Sequence, residues 1–486
     1  MNIRFYNTLT KRIDAFTPQD PSHVRVYSCG PTVYDVVHIG NMRAFLFPDV
    51  LQRTLRAVGG YGVDWVMNVT DIDDKTIRDS AVGSDRWRSE MGAQTTDALA
   101  NLKALTKFYE AEFLHDLAVF HIQREHLQAM PNATDFIPQM QSLIVEILKS
   151  GFAYVRDGSV YFNVSEYSKV HEYGRLFAID TANFREGVRI DADEYDRESV
   201  SDFALWKGSK EGEPYWEFEI NGQNLPGRPG WHIECSAMSK DILGLPLDIH
   251  TGGVDLRFPH HEDELAQCTA GYHEHDQAAF WMHNEFLEVE GKKMSKSLGN
   301  FYTLRDLVAK GIDPLDVRFA MLQSHYRSVY NFTFDSVQGA SAARKKIQDY
   351  IYDVKAMSDN GFPSSTLGDT LRDAVFAELA DDLHTPKALA ALFTFMSEHP
   401  AVSMTKEIAA SVLIALIAVN DVFAVVKIED RPLIEIPEAI SLLANERWAA
   451  REAKNWKESD RLRAEISALG WTMNDGKDAY TLEPSA

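Results

Sequence analysis

Over the first 120 residues the hydrophobic and polar positions alternate between strand-like and helix-like segments. His23 to Ser28 reads as a strand that ends at a thiol, Cys29. A tight Gly30-Pro31 turn follows, and His38-Ile39-Gly40-Asn41 opens a helix running through Arg43, Phe45, Leu46 and Leu51. Gly62 to Thr70 reads as a second strand, ending in Asp71-Ile72-Asp73-Asp74-Lys75. Alternation of this kind predicts a parallel sheet with helices on both faces and ligands bound beyond the carboxyl ends of the strands. Cys29 and Thr70 both fall at such ends.

From about Phe120 to Gly227 the texture changes. A helical stretch, Phe136 to Leu148, precedes strand-like pieces such as Ser159 to Asn163. The acidic segment Asp191 to Asp202 reads as a solvated connector, and Tyr215 to Leu225 as a hairpin turning at Asn221-Gly222. The region is expected to be an insertion between two halves of the sheet, which resumes near Trp231. Lys293-Met294-Ser295-Lys296-Ser297 lies in a loop. Beyond Asp335 the pattern is helical to about Val426, and Pro432 and Pro437 mark a linker. The last fifty residues are expected to form one long amphipathic helix, Ala439 to Leu469, and a short polar tail.

Composition narrows the classes. A net charge of −23 argues against indiscriminate nucleic-acid binding, though not against a local basic patch. Three cysteines in 486 residues exclude a disulfide scaffold and fit a reducing, cytoplasmic setting. The start, Met1 to Tyr6, carries no apolar signal core. The longest apolar run, Val412 to Val419, is far short of the roughly 20 residues that span a bilayer, so it reads as a buried helix and no membrane association is expected.

Four constellations carry chemistry. The first is a set of metal-type donors: the thiols of Cys29 and Cys235, and the run His260-His261-Glu262-Asp263-Glu264. Pro259 suits the first turn of a helix, which sets Glu264 at i+4 from His260 and i+3 from His261. Spacing leaves the histidine open. Two thiolates, an imidazole and a carboxylate suit tetrahedral Zn²⁺; the plain alternative is two buried thiols beside a helix start. A metalloprotease motif fails at Leu265, and Cys268 reads as core. The second pairs His38-Ile39-Gly40-Asn41 with Lys293 and Lys296. Gly40 permits close approach of a base or phosphate, His38 and Asn41 can donate to phosphate oxygens, and the lysines can neutralise a leaving pyrophosphate. In the third, Gly252, Gly253 and Asp255 follow a strand and suit a nucleotide ribose. In the fourth, Arg447, Arg451, Lys454, Trp456, Asp460, Arg461 and Arg463 share one helical stretch, a composition suited either to single-stranded RNA or to a solvated helix face.

Together these residues resemble the cysteinyl-tRNA synthetases, a family of class I aminoacyl-tRNA synthetases. The likeness covers essentially the whole chain and is densest in Tyr27 to Arg43, Asn68 to Lys75, Arg228 to Met238, Asp248 to Gln267 and Trp281 to Asn300. His38 to Asn41 has the form of the HIGH signature with Asn in last place, and Lys293 to Ser297 is KMSKS unaltered. The resemblance implies an α/β fold: a Rossmann-like parallel-sheet catalytic domain (1–120 and 228–285) with a connective insertion (121–227). A KMSKS loop and stem-contact region (286–335), a helical bundle (336–426) and a small C-terminal anticodon-binding domain (427–486) would follow. It implies zinc held by Cys29, Cys235, His260 and Glu264, which takes the substrate thiol, and an amino-acid pocket lined by Thr70, Trp231 and His250. It implies ATP with Mg²⁺, L-cysteine and tRNA-Cys as partners of a monomer, with Arg451, Trp456, Asp460 and Asp475 reading the anticodon.

There are departures. The tail reads Ala479-Tyr480-Thr481-Leu482 where the family usually has Gly-Thr and a Trp. Phe218 to Asn224 replaces a shorter loop, and Glu285 stands where a Gly is usual. Two other readings stay open. A ligase joining cysteine to an amino sugar in mycothiol synthesis shares the zinc and both signatures but lacks a domain like residues 427–486. A non-catalytic, tRNA-binding paralogue would be favoured by loss of a signature lysine or a zinc ligand, and all are present.

Overall fold

A computed structural model describes residues 1–177, 184–190, 200–273, 276–295, 298–358, 362–432, 436–476 and 479–484. Two units form, Met1–Ile428 and Glu429–Ala486. The first is built on a five-stranded parallel sheet. Its strands and the helices that matter below are β1 (Val24–Ser28), α1 (Ile39–Ala57), β2 (Val63–Met67), β3 (Leu127–Ala129), α2 (Trp231–Leu243), β4 (Leu247–Gly253), α3 (His260–Tyr272) and β5 (Ala278–Asn284). The spatial order is β5-β4-β1-β2-β3. Every residue of β4 is buried, as expected for a strand covered on both faces. The chain steps from β1 out to β3, then returns on the other side of β1 to form β4 and β5. The crevice at the carboxyl ends of β1 and β4 is therefore the switch point where doubly wound sheets bind ligands. Cys29 follows β1, and His250 to Gly253 end β4.

Three local expectations are corrected by the structure. Trp231 does not resume the sheet. The strand before it, Gly227–Pro229, pairs antiparallel with Val200–Gly208 of the insertion, and Gly230 N-caps α2, of which Trp231 is the first residue. Gly252 and Gly253 are the last residues of β4 rather than residues that follow it. Of the acidic segment, 191–199 lies outside the described residues. Asp202 is not a solvated connector residue: it is buried in a strand, accepting from the Tyr154 hydroxyl at 2.9 Å and the Val164 N–H at 3.0 Å. The expected hairpin is present, turning through Asn221 and Gly222 at φ 53° and 77°, the left-handed pair that a tight two-residue turn needs.

Beyond β5, the strands β6 (Leu287–Val289), β7 (Lys292–Lys293) and β8 (Tyr330–Phe332) make a small sheet in the order β7-β6-β8. The helices Phe334–Met357, Leu367–Ala380, Thr385–Glu398 and Lys406–Phe423 follow. The last contains the run Val412 to Val419 and buries Val412, Ala415, Leu416 and Val419. Among the described residues no helix is long and apolar enough to cross a membrane.

In the second unit the expected single helix is two, Glu438–Glu452 and Trp456–Ala468. Lys454 turns left-handed at φ 56°, and the Asn455 side chain caps the second helix by accepting from the Glu458 N–H, so the periodicity restarts. The tail is a strand pair, Trp471–Asp475 with Tyr480–Pro484, whose Met473 is buried with Ala444 and Ile466.

Candidate metal centre and nucleotide site

The loop after β1, α2 and α3 converge at the switch point. Cys29 is presented by the Gly30-Pro31 turn, and its backbone N–H is tied to the Thr251 carbonyl of β4. Cys235 projects from the second turn of α2. His260 and Glu264 project from the first turns of α3, one helical turn apart. Donor atoms of Cys29, Cys235, His260 and Glu264 all lie within 4.8 Å of one another. The Cys29 and Cys235 sulfurs are 3.8 Å apart, and Cys29 Sγ lies 3.8 Å from Glu264 Oε1. His260 Nε2 lies 3.1 Å from the same oxygen. A tetrahedral ion with bonds of about 2.3 Å to sulfur has a sulfur–sulfur edge of about 3.8 Å, so the spacing fits a zinc-type centre.

A second set, Cys29, His250, His261 and Glu264, satisfies the same proximity. The hydrogen bonds separate the two. Glu264 divides its oxygens: Oε2 accepts from His250 Nε2 at 3.0 Å and from Gln277 Nε2 at 3.2 Å, leaving Oε1 for the group near His260. His260 Nδ1 lies 2.9 Å from His232 Nδ1, and His232 Nε2 lies 3.4 Å from Asp263 Oδ2. This orients the His260 ring with Nε2 toward Cys235 and Glu264, as outer partners of metal-bound histidines do. His261 has a similar relay, through His283 instead of His232, so the feature that favours His260 is its approach to Glu264 Oε1. His261 Nε2 is 3.3 Å from Cys29 Sγ, its Nδ1 is 2.8 Å from His283 Nε2, and His283 Nδ1 is 2.8 Å from the Thr8 hydroxyl.

Burial sets the electrostatics. It pushes His260 and His232 down to about 3, so both rings are neutral and His260 keeps a lone pair for a cation. Burial, then the two thiols acting on each other and Glu264, pushes Cys29 well above the usual thiol range. Burial also raises Cys235. Two thiols, a carboxylate and a neutral imidazole brought together in a buried cluster are an arrangement that a divalent cation would stabilise in its deprotonated form.

Of the three pocket residues implied by the resemblance, Trp231 and His250 touch this cluster, and Thr70 reaches Glu234, the residue before Cys235. The Thr70 hydroxyl donates to Glu234 Oε2 at 2.8 Å. The Trp231 ring stacks on His260 with centroids 4.2 Å apart. The His250 ring stacks on Trp281 at 4.5 Å. Sequence reasoning offered His261 as an alternative ligand and Asp263 only as part of the donor run, and it did not single out His232 or His283. For His232 the chain offers only its spacing three residues before Cys235, and for His283 it offers no signal, because these partners meet across packed elements distant in sequence.

The nucleotide elements start a few residues beyond Cys29. His38 N-caps α1: its Nδ1 accepts from the Asn41 N–H at 3.2 Å, and Asn41 Oδ1 accepts from the His38 N–H at 3.2 Å. The neutral His38 ring therefore carries its proton on Nε2, as a donor at a helix N-terminus. Gly40 touches the lysine segment: a Cβ there would sit 2.7 Å from Met294 Cε and 2.9 Å from the His38 ring. Ile39 N–H donates to the Tyr302 carbonyl at 2.9 Å, so the segment following the lysine signature is also tied to the start of α1. Lys293 is exposed at the end of β7, and Lys296 lies outside the described residues. A Cβ on Gly252 would sit 2.6 Å from the His261 ring, so the glycine admits that histidine. Asp255 lies in the turn after β4.

In the second unit, Trp456 is 59% exposed, and Arg451 lies over the Trp448 ring at 4.8 Å. Asp460 is exposed. Asp475 is engaged within the unit, paired with Arg447, with Arg463 at 2.9 Å and with Arg451 at 3.7 Å, and these cations hold its carboxyl below the usual range.

Residues 15–342 match a family model described as tRNA synthetases class I (C) catalytic domain, which fixes the class as that of the class I synthetases. The fold agrees. A methionyl-tRNA synthetase from Mycobacterium tuberculosis, solved with methionyl-adenylate, superposes with a TM-score of 0.54 at 14% identity, over 83% of this chain and 90% of that one. Two curated relatives named "Cysteine--tRNA ligase" align along almost the full length. One, from Leptospira interrogans, is 42% identical over 98% of each chain. The other, from Chlamydia muridarum, is 39% identical, again over 98% of each. The chain belongs to the cysteine--tRNA ligase family.

Proposed function

We propose that the chain activates L-cysteine with ATP and transfers the cysteinyl group to tRNA-Cys, and that a zinc ion recognises the substrate thiol. The carrying observation is the four-donor cluster of Cys29, Cys235, His260 and Glu264 at the switch point, beside a helix N-terminus that touches the lysine segment. When bound there, zinc supplies a soft Lewis acid that prefers sulfur and lowers a thiol's pKa. A serine hydroxyl is a poor match for such a centre, so discrimination needs no editing step.

The chain's own residues position the rest. Thr70, Trp231 and His250 line the pocket for the amino acid. In the first step a cysteine carboxylate oxygen attacks the α-phosphorus of ATP, and the bond to the β-phosphate oxygen breaks, releasing pyrophosphate. His38 Nε2–H and the α1 N-terminus donate to the phosphates, and Gly40 lets them approach the backbone. Lys293 and Lys296 offset the charge that grows on pyrophosphate, and Mg²⁺ enters with ATP. Gly252, Gly253 and Asp255 face the nucleoside. In the second step a terminal ribose hydroxyl attacks the adenylate carbonyl carbon, and AMP leaves. Arg451, Trp456 and Asp460 offer guanidinium, ring and carboxylate to the anticodon. Asp475 serves it by orienting Arg451 and Arg463.

The test is cysteine-dependent ATP–pyrophosphate exchange, run beside charging of tRNA-Cys. Both activities are expected. Exchange without charging would favour the amino-sugar ligase, and unchanged charging by a double variant, Arg451→Ala with Trp456→Ala, would remove those residues from tRNA recognition. Absence of exchange would overturn the proposal.

A further inference from the structure

Asp382 sits at the junction between the helices Leu367–Ala380 and Thr385–Glu398, and it is 3% exposed. Its φ is 59° and that of Leu383 is 53°, so two successive non-glycine residues are left-handed. Such a backbone costs free energy and persists where its surroundings over-determine it. The surroundings are explicit. Asp382 Oδ1 accepts from the Tyr326 hydroxyl at 2.6 Å and from the Tyr6 N–H at 2.8 Å, and Oδ2 accepts from Arg327 Nε at 2.8 Å. Its carbonyl lies 2.9 Å from His325 Nε2. Asp382 therefore grips the segment 325–328 by three consecutive residues.

The opposite side of that segment is gripped by α1. Arg43 Nη2 donates to the carbonyls of His325 at 3.1 Å and Ser328 at 2.5 Å. Phe47 stacks on Tyr326, with centroids 4.5 Å apart and planes 9° apart. Arg43 also lies over the Tyr330 ring, at 5.4 Å. Tyr330 opens β8, which pairs with β6, and β6 pairs with β7, the strand that carries Lys293. The segment thus joins the helix that starts at His38 to the sheet that ends at Lys293. Asp382 touches neither signature.

Resting on the function proposed above, we propose that Asp382 is a positioning residue for ATP activation. Through segment 325–328 it sets where α1 and the Lys293 sheet stand relative to one another. The strained junction is retained because it aims this carboxylate. Transition-state contacts to phosphate are sensitive to small displacements, so loosening the segment costs turnover with ATP while cysteine binding stays intact.

The test compares Asp382→Asn, Arg43→Lys and the double variant in cysteine-dependent ATP–pyrophosphate exchange, with cysteine affinity measured directly in the absence of ATP. Arg4→Ala, which breaks the exposed pair with Asp381, is the control and is expected to match wild type. Each single variant is expected to lose about tenfold in kcat/KM for ATP with cysteine affinity unchanged, the double losing no more than the worse single, because both act through one segment. Should Asp382→Asn not fold, Tyr326→Phe removes one donor and is expected to show the same pattern at smaller size. Wild-type kcat/KM for ATP in the variants, losses that multiply in the double, or a parallel fall in cysteine affinity would overturn the proposal. Wild-type protein without cysteine-dependent exchange would overturn the function itself, and this inference with it.

Discussion

Replacing Cys235 by serine changes one atom at the proposed metal centre. The thiol is 1% exposed, and its sulfur is 3.8 Å from that of Cys29, the edge of a tetrahedron around zinc. A serine oxygen is a hard donor on a shorter bond, and it stays protonated near neutral pH. It fits the same volume, and Asn68 Oδ1, 3.7 Å from the sulfur, can accept its proton, so the fold is expected to survive. Four-ligand zinc sites in small peptides bind with about 10–16 kcal/mol, so an even share per ligand is about 3 kcal/mol. That corresponds to roughly a hundredfold weaker metal affinity. The assay is zinc content after equilibration against a graded chelator, with cysteine-dependent pyrophosphate exchange measured on the same samples. Both should fall together, and excess zinc should restore part of the exchange. Undiminished zinc affinity and full exchange in Cys235→Ser would refute the ligand assignment.

Other consequences follow from the same structure. Asp71 is buried against Thr134, and burial pushes its carboxyl up to about 6 from 3.8. A raised carboxyl costs stability as pH climbs from about 4 to 6; Asp71→Asn should match wild type below pH 4, be more stable above pH 6, and an equal pH–Tm profile would exclude this. Asp49 is fully buried between Arg53 at 2.9 Å and Arg318 at 2.6 Å, so Asp49→Ala strands two guanidinium groups and should cost about 3–5 kcal/mol in urea unfolding; a cost below about 1 kcal/mol would contradict it. Gly40→Ala places a methyl 2.7 Å from Met294 Cε and 2.9 Å from the His38 ring, and it should lower kcat/KM for ATP by about tenfold or more with little change in Tm; unchanged kinetics would separate Gly40 from the nucleotide.

What could be read from the chain was what sequence separation encodes locally. The strand, turn and helix start from Val24 to Asn41 follow from an apolar run and a Gly-Pro turn within eighteen residues, whereas the reciprocal His38–Asn41 cap emerges only from the structure. The pairing of His260 with Glu264 follows from helix spacing, although the same spacing admits His261. The choice between them rests on His250 and Gln277, which come from β4 or beyond, and no periodicity relates those positions. The break at Lys454 was hidden because charged residues on both sides keep a helical pattern, and only a left-handed backbone and the Asn455 cap reveal it. The resemblance set Asp475 among the anticodon contacts, and its pairing with arginines was not legible because they come from two helices folded back on its strand. Asp382 lies in a short polar run whose left-handed turn has no glycine to announce it.

The most direct measurement is cobalt substitution at the metal centre followed by titration with cysteine and with serine. Cobalt takes zinc's place in tetrahedral sites and reports thiolate bonding by its absorption. The protein should bind one cobalt with a sulfur-rich spectrum, and cysteine alone should strengthen the thiolate-to-cobalt band. An identical spectrum with cysteine and with serine, or cobalt bound without the thiols of Cys29 and Cys235, would contradict recognition of the substrate through its sulfur.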